Sequence, residues 1–168
     1  AVARVLNDHG LGTLLFDLLT PEEESIDERT GHLRFDIALL TRRLIVATEW
    51  LRQRPEATAL PIGYFGASTG AAAALQAAAE LGEAVGAVVS RGGRPDLAGP
   101  ALGRVRCPTL LLVGGADVPV IGLNETALDR LAAPVKRLDI LPGASHLFEE
   151  PGALEGVARR AARWLTLH

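Results

Sequence analysis

The stretch Ile62-Gly63-Tyr64-Phe65-Gly66-Ala67-Ser68-Thr69-Gly70-Ala71-Ala72-Ala73-Ala74-Leu75 decides the fold of this 168-residue chain. It starts as a short apolar strand, continues as Gly-x-Ser-x-Gly and ends in alanines that favour a helix. A serine on such a turn is held in a strained backbone conformation that lifts its hydroxyl above the sheet edge. Gly66 and Gly70 are expected to leave room for the turn. The stretch predicts that Ser68 is a nucleophile, and an ordinary strand-to-helix turn is the alternative.

An acid and a base are expected downstream, because this architecture orders them as Ser, then Asp or Glu, then His. A buried-type strand from Thr109 runs through two glycines to Asp117. A second strand, Lys136–Pro142, is followed within four residues by His146. Parallel strands place their carboxyl ends, and usually their sites, at one edge of the sheet. The order and placement therefore predict that Ser68, Asp117 and His146 converge, although Asp117 alone would be interpreted as a turn cap and His146 as a loop residue.

A second candidate acid is Asp96, which follows the strand Val85–Ser90. Some proteins that carry Gly-x-Ser-x-Gly between a strand and a helix place their catalytic acid after the strand that corresponds to Val85–Ser90. We favour Asp117, because Val113-Gly114-Gly115 brings it off the strand next to the one that leads to His146.

Two arginines, Arg91 and Arg94, lie just beyond the strand Val85–Ser90. A guanidinium group at this edge could bind a substrate carboxylate through two parallel hydrogen bonds. An equally good interpretation is that both side chains hold their own loop by bonding to backbone carbonyls.

Four stretches of the chain resemble the dienelactone hydrolase-like group of the α/β-hydrolase superfamily, and the resemblance covers essentially the whole chain. They are Phe65–Gly70, Ser90–Asp96, Pro108–Gly115 and Pro142–Phe148. The resemblance implies that Ser68 is the nucleophile, His146 the base and Asp117 the residue that orients the base. The backbone N–H of Thr69 would then stabilise the oxyanion. Dienelactone hydrolases proper carry cysteine where this chain has Ser68, so the resemblance implies the fold and not the dienelactone substrate.

Length and composition fit one soluble domain, and the resemblance implies that residues 1–168 form a single α/β-hydrolase domain. The chain is 48% hydrophobic, which is enough for a substantial core, and its net charge of −3 disfavours binding to a nucleic-acid backbone. No apolar run reaches the ~18 residues of a membrane span, and no signal peptide is visible. The single cysteine, Cys107, excludes an internal disulfide. We expect a cytoplasmic protein that acts on a small molecule, with no metal and no organic cofactor.

Strands and helices alternate along the chain, which predicts a mostly parallel sheet with helices on both faces. Five strands are expected, and the first of them is Gly12–Leu18. The polar segment Thr20–Thr30 is expected to be a solvated loop or a short capped turn. The expected helices are Ala3–His9, Arg34–Arg54, the helix after Ser68, a short Leu102–Val105, Leu123–Ala132 and Ala153–Leu165.

Two absences bear on the site. Only 18 residues lie between Ser90 and Thr109, which leaves no room for the lid domain that many α/β-hydrolases insert there. The chain also starts inside a helix that, in the family it resembles, follows the third strand. The family's strand order implies that Gly12–Leu18 and Ile62–Phe65 would flank that third strand, which is missing here. We therefore expect the first strands and the oxyanion loop to be absent, and the chain to be incomplete at its amino end or part of a longer protein.

These features predict a serine hydrolase that cleaves a small ester, lactone or thioester through an acyl-enzyme. One alternative is a non-catalytic or accessory module of a larger protein, since similar domains occur fused to phosphoribosyltransferase-like domains. Another is acyl transfer or perhydrolysis on the same three residues, with an acceptor other than water.

Overall fold

The computed structural model describes residues 1–168 as a four-stranded parallel sheet in the order β1-β2-β3-β4. Each strand pairs with the next one along the chain, for example Ala67 with Arg91 and Gly114 with Leu141. All four carboxyl ends therefore meet at one edge, as predicted. The strands are β1 (Gly63–Ala67), β2 (Ala87–Arg91), β3 (Thr109–Gly114) and β4 (Lys136–Leu141).

The chain has six α-helices, and none of them is long and apolar enough to cross a membrane. Helices α3, α4 and α5 contribute to the hydrophobic cluster on one face, and α1 and α6 contribute to the cluster on the other. The connection between β2 and β3 holds only the 3-10 segment Pro95–Arg104, so no lid domain is inserted there. The helices are α1 (Val2–Asp8), α2 (Pro21–Thr30), α3 (Ile37–Arg52), α4 (Thr69–Leu81), α5 (Val118–Arg130) and α6 (Ala153–Leu167), and shorter 3-10 turns span Leu33–Phe35 and Gly82–Ala84.

The core is centred on β3, every residue of which is buried. Helix α4 lies directly on the sheet through small side chains, since Ala71–Ala74 and Ala77 are all buried. Alanine costs little side-chain entropy and lets the helix approach closely. This close contact holds the start of α4, and therefore Ser68, at a defined height above β1.

The prediction of a strand at Gly12–Leu18 is wrong, because these residues form no regular secondary structure. Residues Leu14, Leu15 and Phe16 are exposed, and no hydrogen-bond register joins them to β1. Side chains hold the two ends of the segment instead: Asn7 donates to the Leu11 carbonyl, and Arg43 donates to the Leu18 carbonyl. An apolar run becomes a strand only when a neighbour pairs with its backbone groups. The sheet therefore has four strands and not five.

The acidic segment Thr20–Thr30, expected to be a loop or a short turn, contains the ten-residue helix α2. Thr20 and Glu23 form a reciprocal capping box, in which Glu23 N–H donates to Thr20 Oγ1 and Thr20 N–H donates to Glu23 Oε2. Pro21 occupies the first turn, where its missing N–H costs nothing. The Thr-x-x-Glu pattern, which is typical of a helix start, is present in the sequence, and here it indicates the structure better than the polar composition does.

The long helix starts at Ile37 and not at Arg34. Asp36 caps it by accepting a hydrogen bond from the Leu39 amide. Leu33–Phe35 form a separate 3-10 turn, so the predicted helix was three residues too long at its start.

We predict that Glu23 makes the protein sensitive to acid. Hydrogen bonds from Arg43, and next from the Thr20 amide, lower the pKa of Glu23 to about 2 from its ordinary value of 4.5. The stabilisation is therefore fully present above pH 4.5 and is lost as the pH falls towards 2. Glu23→Gln removes the ionised group, so its melting temperature should fall less between pH 5 and pH 2 than that of the unchanged protein. Thermal unfolding at several pH values measures this difference.

Glu22→Gln is the matched control, since Glu22 lies beside Glu23 on α2 and forms no ion pair. Its pH dependence should follow that of the unchanged protein. Equal pH dependence in the Glu23 and Glu22 variants would contradict the prediction.

Candidate active site

Ser68 lies on a strained turn between β1 and α4, as predicted. Its backbone has φ 51° and ψ −125°, a conformation that residues other than glycine rarely adopt. Gly66 makes the turn possible, because a Cβ there would lie 2.6 Å from the Gly70 carbonyl oxygen. The expectation that Gly70 serves the same purpose is wrong, since a Cβ on Gly70 would meet nothing within 4 Å. The Ser68 side chain is exposed at the carboxyl edge of the sheet.

Thr69 is the first residue of α4, directly after Ser68. An amide at this position has no carbonyl partner inside the helix and carries part of the positive end of the helix dipole. It is therefore available to a negatively charged oxygen beside the Ser68 side chain.

His146 and Asp117 are hydrogen-bonded to each other. The distance from His146 Nδ1 to Asp117 Oδ2 is 2.6 Å, and the two side chains are 42% and 12% exposed. Asp117 precedes the first residue of α5, yet its side chain does not cap that helix. An ionised carboxylate in this position accepts from Nδ1–H, which leaves Nε2 as the basic nitrogen of the ring.

The loops that carry Asp117 and His146 are joined by backbone contacts. The Gly115 amide donates to the Leu141 carbonyl at 2.8 Å, and the Ala116 amide donates to the Ala144 carbonyl at 3.0 Å. Gly114 allows this approach, since a Cβ there would lie 2.5 Å from the Ser145 carbonyl oxygen. The two glycines before Asp117 thus bring the acid to the histidine.

Glu150 holds the His146 loop from its other side, and the sequence analysis did not identify it. Both of its carboxylate oxygens lie 3.0 Å from the Ser145 amide. The hydrogen bond from the Ser145 amide lowers the pKa of Glu150 from its ordinary value, because the bond favours the charged carboxylate. No short motif marks this contact, because it depends on how the Ser145–Glu150 turn closes.

The alternative acid, Asp96, is bound to Arg94 and not to the histidine. Arg94 donates to both Asp96 oxygens, with distances of 2.9 and 2.8 Å. Its guanidinium group is thereby occupied, while its backbone amide donates to the Ser68 carbonyl at 3.0 Å. Arg94 thus contacts the Ser68 turn through its backbone.

Arg91 ends β2 beside Ala67, the residue that precedes Ser68. Its guanidinium carbon lies 5.9 Å from the centre of the Phe148 ring, and its buried Nε has no hydrogen-bond partner. Burial lowers the pKa of Arg91 from its ordinary value, because removal from water disfavours the charged form. Arg91 is therefore a half-buried cation without a carboxylate partner at the edge that carries Ser68.

The approach of Ser68 Oγ to the imidazole stays a prediction. The hydrogen bond of the His146 ring goes to Asp117, and none joins it to Ser68. Catalytic hydrogen bonds are often long before substrate binds, so this geometry is compatible with a role for both residues.

Comparison with known proteins identifies relatives over nearly the whole chain. A sequence model of the dienelactone hydrolase family matches residues 13–166. The crystal structure of a dienelactone hydrolase from Anabaena variabilis is 62% identical and superposes with a TM-score of 0.95, covering 99% of this chain and 77% of that one. The esterase domain of a Rhodothermus marinus protein superposes with a TM-score of 0.72 at 21% identity, covering 97% of this chain and 76% of that one, and shows the fold alone.

A curated relative from Mycobacterium tuberculosis H37Rv is 57% identical over 168 residues and is named "Putative phosphoribosyl transferase Rv0571c". The alignment covers 99% of this chain but only 37% of the relative. The chain therefore spans little more than a third of that protein. The family match covers most of the chain, and it agrees with the parallel sheet and the strained serine turn. The chain belongs to the dienelactone hydrolase family and has the α/β-hydrolase fold.

Proposed function

We propose that this chain is a serine hydrolase that cleaves a small ester, lactone or thioester, with Ser68 as nucleophile, His146 as base and Asp117 as the residue that orients the base. The observation that carries the proposal is the 2.6 Å contact between His146 and Asp117 at the edge of the sheet where Ser68 occupies its strained turn. Membership of a hydrolase family supports the reaction class.

In the proposed reaction, His146 Nε2 takes the proton of the Ser68 hydroxyl as Oγ attacks the substrate carbonyl carbon. The carbonyl π bond breaks and leaves a negatively charged oxygen. When the tetrahedral intermediate collapses, the bond to the leaving group breaks and His146 returns the proton to it. Water then attacks the acyl-enzyme by the same steps and releases the acid. Asp117 keeps Nδ1 protonated and stabilises the imidazolium throughout.

The amide of Thr69 is proposed to donate a hydrogen bond to the oxyanion. Its place as the first residue of α4 supports this role, because the helix directs both a free N–H and a partial positive charge towards Ser68. A single well-placed donor of this kind contributes about 10²- to 10³-fold to the rate in serine hydrolases. The mechanism uses side chains and backbone amides and requires no cofactor.

We propose that Arg91 binds an anionic group of the substrate and that Arg94 does not take part in substrate binding. The distinction rests on their partners, because the Arg94 guanidinium is held by Asp96 whereas Arg91 has no carboxylate partner. The absence of a lid domain suits a small substrate that enters from solvent. A cytoplasmic location stays a prediction.

An accessory role within a larger protein is the second candidate. It is favoured by the fact that the chain spans 37% of a relative named as a phosphoribosyl transferase. In that case Ser68 would be unreactive although its turn is formed. Acyl transfer or perhydrolysis would instead keep Ser68 reactive, and competition between water and an added alcohol or peroxide would identify it.

We predict that Ser68→Ala abolishes covalent labelling by a fluorophosphonate probe in the full-length protein. The oxygen of an activated serine displaces fluoride from the probe and becomes phosphonylated, and alanine has no side-chain oxygen to react. Labelling is measured by intact mass and peptide mapping. Ser25→Ala, which removes an exposed hydroxyl on α2, should leave the labelling unchanged. Persistent labelling of the Ser68→Ala variant would show that Ser68 is not the nucleophile. If the protein without substitutions is not labelled at all, the accessory role would be favoured.

We predict further that Asp117→Asn lowers kcat for p-nitrophenyl acetate by about 10³- to 10⁴-fold, because asparagine no longer fixes the imidazole tautomer. Asp96→Asn serves as the matched control, since Asp96 bonds to Arg94 and not to His146. It should lower kcat by less than about 10-fold. A severe loss in the Asp96 variant alone would transfer the acid role to Asp96.

A further inference from the structure

Asn124 is a fully buried polar residue in the middle of α5, with no exposed surface. Its side-chain amide donates to the Val120 carbonyl at 2.9 Å, one turn earlier on the same helix. It also donates to the Gly93 carbonyl at 3.2 Å, 31 residues away in the sequence. The buried Oδ1 has no hydrogen-bond partner, so only the amide nitrogen holds the side chain in place. Its bond to Gly93 links α5 to the segment after β2.

Gly93 belongs to the segment Gly92–Arg94, which contacts the elements that carry the nucleophile and the base. The Gly92 amide donates to the Leu112 carbonyl on β3 at 2.8 Å. A Cβ at Gly92 would lie 2.9 Å from the His146 carbonyl oxygen and 3.6 Å from its Nδ1, so the segment packs directly against the histidine. The Arg94 amide donates to the Ser68 carbonyl at 3.0 Å. A shift of this segment would therefore move Ser68 and His146 relative to each other.

Helix α5 also carries the acid, because Asp117 is the residue at its amino end. Asn124 follows Asp117 by seven residues, or about two helical turns. The link from Asn124 to Gly93 thus ties the helix of Asp117 to the segment that bonds to Ser68.

We propose that Asn124 is a positioning residue for the active site: its amide holds the Gly92–Arg94 segment, which sets the position of the Ser68 backbone against His146. The catalytic part of this inference rests on the proposed hydrolase function. Because Asn124 is fully buried, we expect it to affect the rate of the chemical step and not substrate binding.

Asn124→Leu tests the proposal, because leucine fills nearly the same volume but cannot donate to Gly93. We expect kcat for p-nitrophenyl acetate to fall about 10- to 100-fold, as small misplacements of reacting groups typically cost, while KM changes by less than about 3-fold. Thr48→Val is the matched control. It removes a buried hydrogen bond between Thr48 on α3 and Tyr64 on β1. We expect this change to lower the melting temperature without lowering kcat.

Amide hydrogen exchange gives a readout that does not depend on activity. In Asn124→Leu, peptides that contain Gly92–Arg94 and Ser68–Ala71 should exchange faster than in the unchanged protein, and in Thr48→Val they should not. Asn124→Ala replaces the leucine variant if that variant fails to fold. Unchanged kcat and unchanged exchange would overturn the proposal, as would a fall in kcat that Thr48→Val reproduces at an equal melting temperature. If the protein without substitutions is not labelled at Ser68 but Asn124→Leu still speeds exchange, Asn124 would position the segment although the hydrolase function is rejected.

Discussion

The close contact between the loops that follow β3 and β4 is the constraint on which the site depends. The Ala144 carbonyl accepts from the Ala116 amide, and Gly114 has no side chain to keep the loops apart. A Cβ at this position would force the loops to shift, and such overpacking typically costs about 1–3 kcal/mol. This contact brings Asp117 within 2.6 Å of His146, and Glu150 holds the histidine loop from its far end.

The Ser68 turn is built on a different principle, the storage of backbone strain. Ser68 at φ 51° carries a conformation that costs about 1–3 kcal/mol for a residue with a side chain. The cost is met by the surrounding packing, because the alanines of α4 lie against the sheet and Arg94 N–H bonds to the Ser68 carbonyl. The strained serine follows β1, whereas the hydrogen-bonded Asp117 and His146 follow β3 and β4. The Gly92–Arg94 segment spans the space between them.

The sequence predicted the features that short-range patterns determine. The Gly-x-Ser-x-Gly stretch between a strand and a helix predicted the strained turn at Ser68, and the glycines before Asp117 predicted its place beside the His146 loop. The four strands of the sheet were predicted to within two residues at their starts. The missed features depend on partners that a local pattern does not contain. Gly12–Leu18 has the composition of a strand but no paired neighbour, and Glu150 and Asn124 act through contacts formed only after the chain folds.

The central claim is that Ser68, His146 and Asp117 form one reacting unit with the Thr69 amide. A crystal structure of the full-length protein after reaction with a small fluorophosphonate tests this claim most directly. The account predicts phosphorus bonded to Ser68 Oγ, one phosphonyl oxygen within about 3 Å of the Thr69 nitrogen, and His146 still hydrogen-bonded to Asp117. An adduct on another residue would contradict it, as would a phosphonyl oxygen directed away from the start of α4.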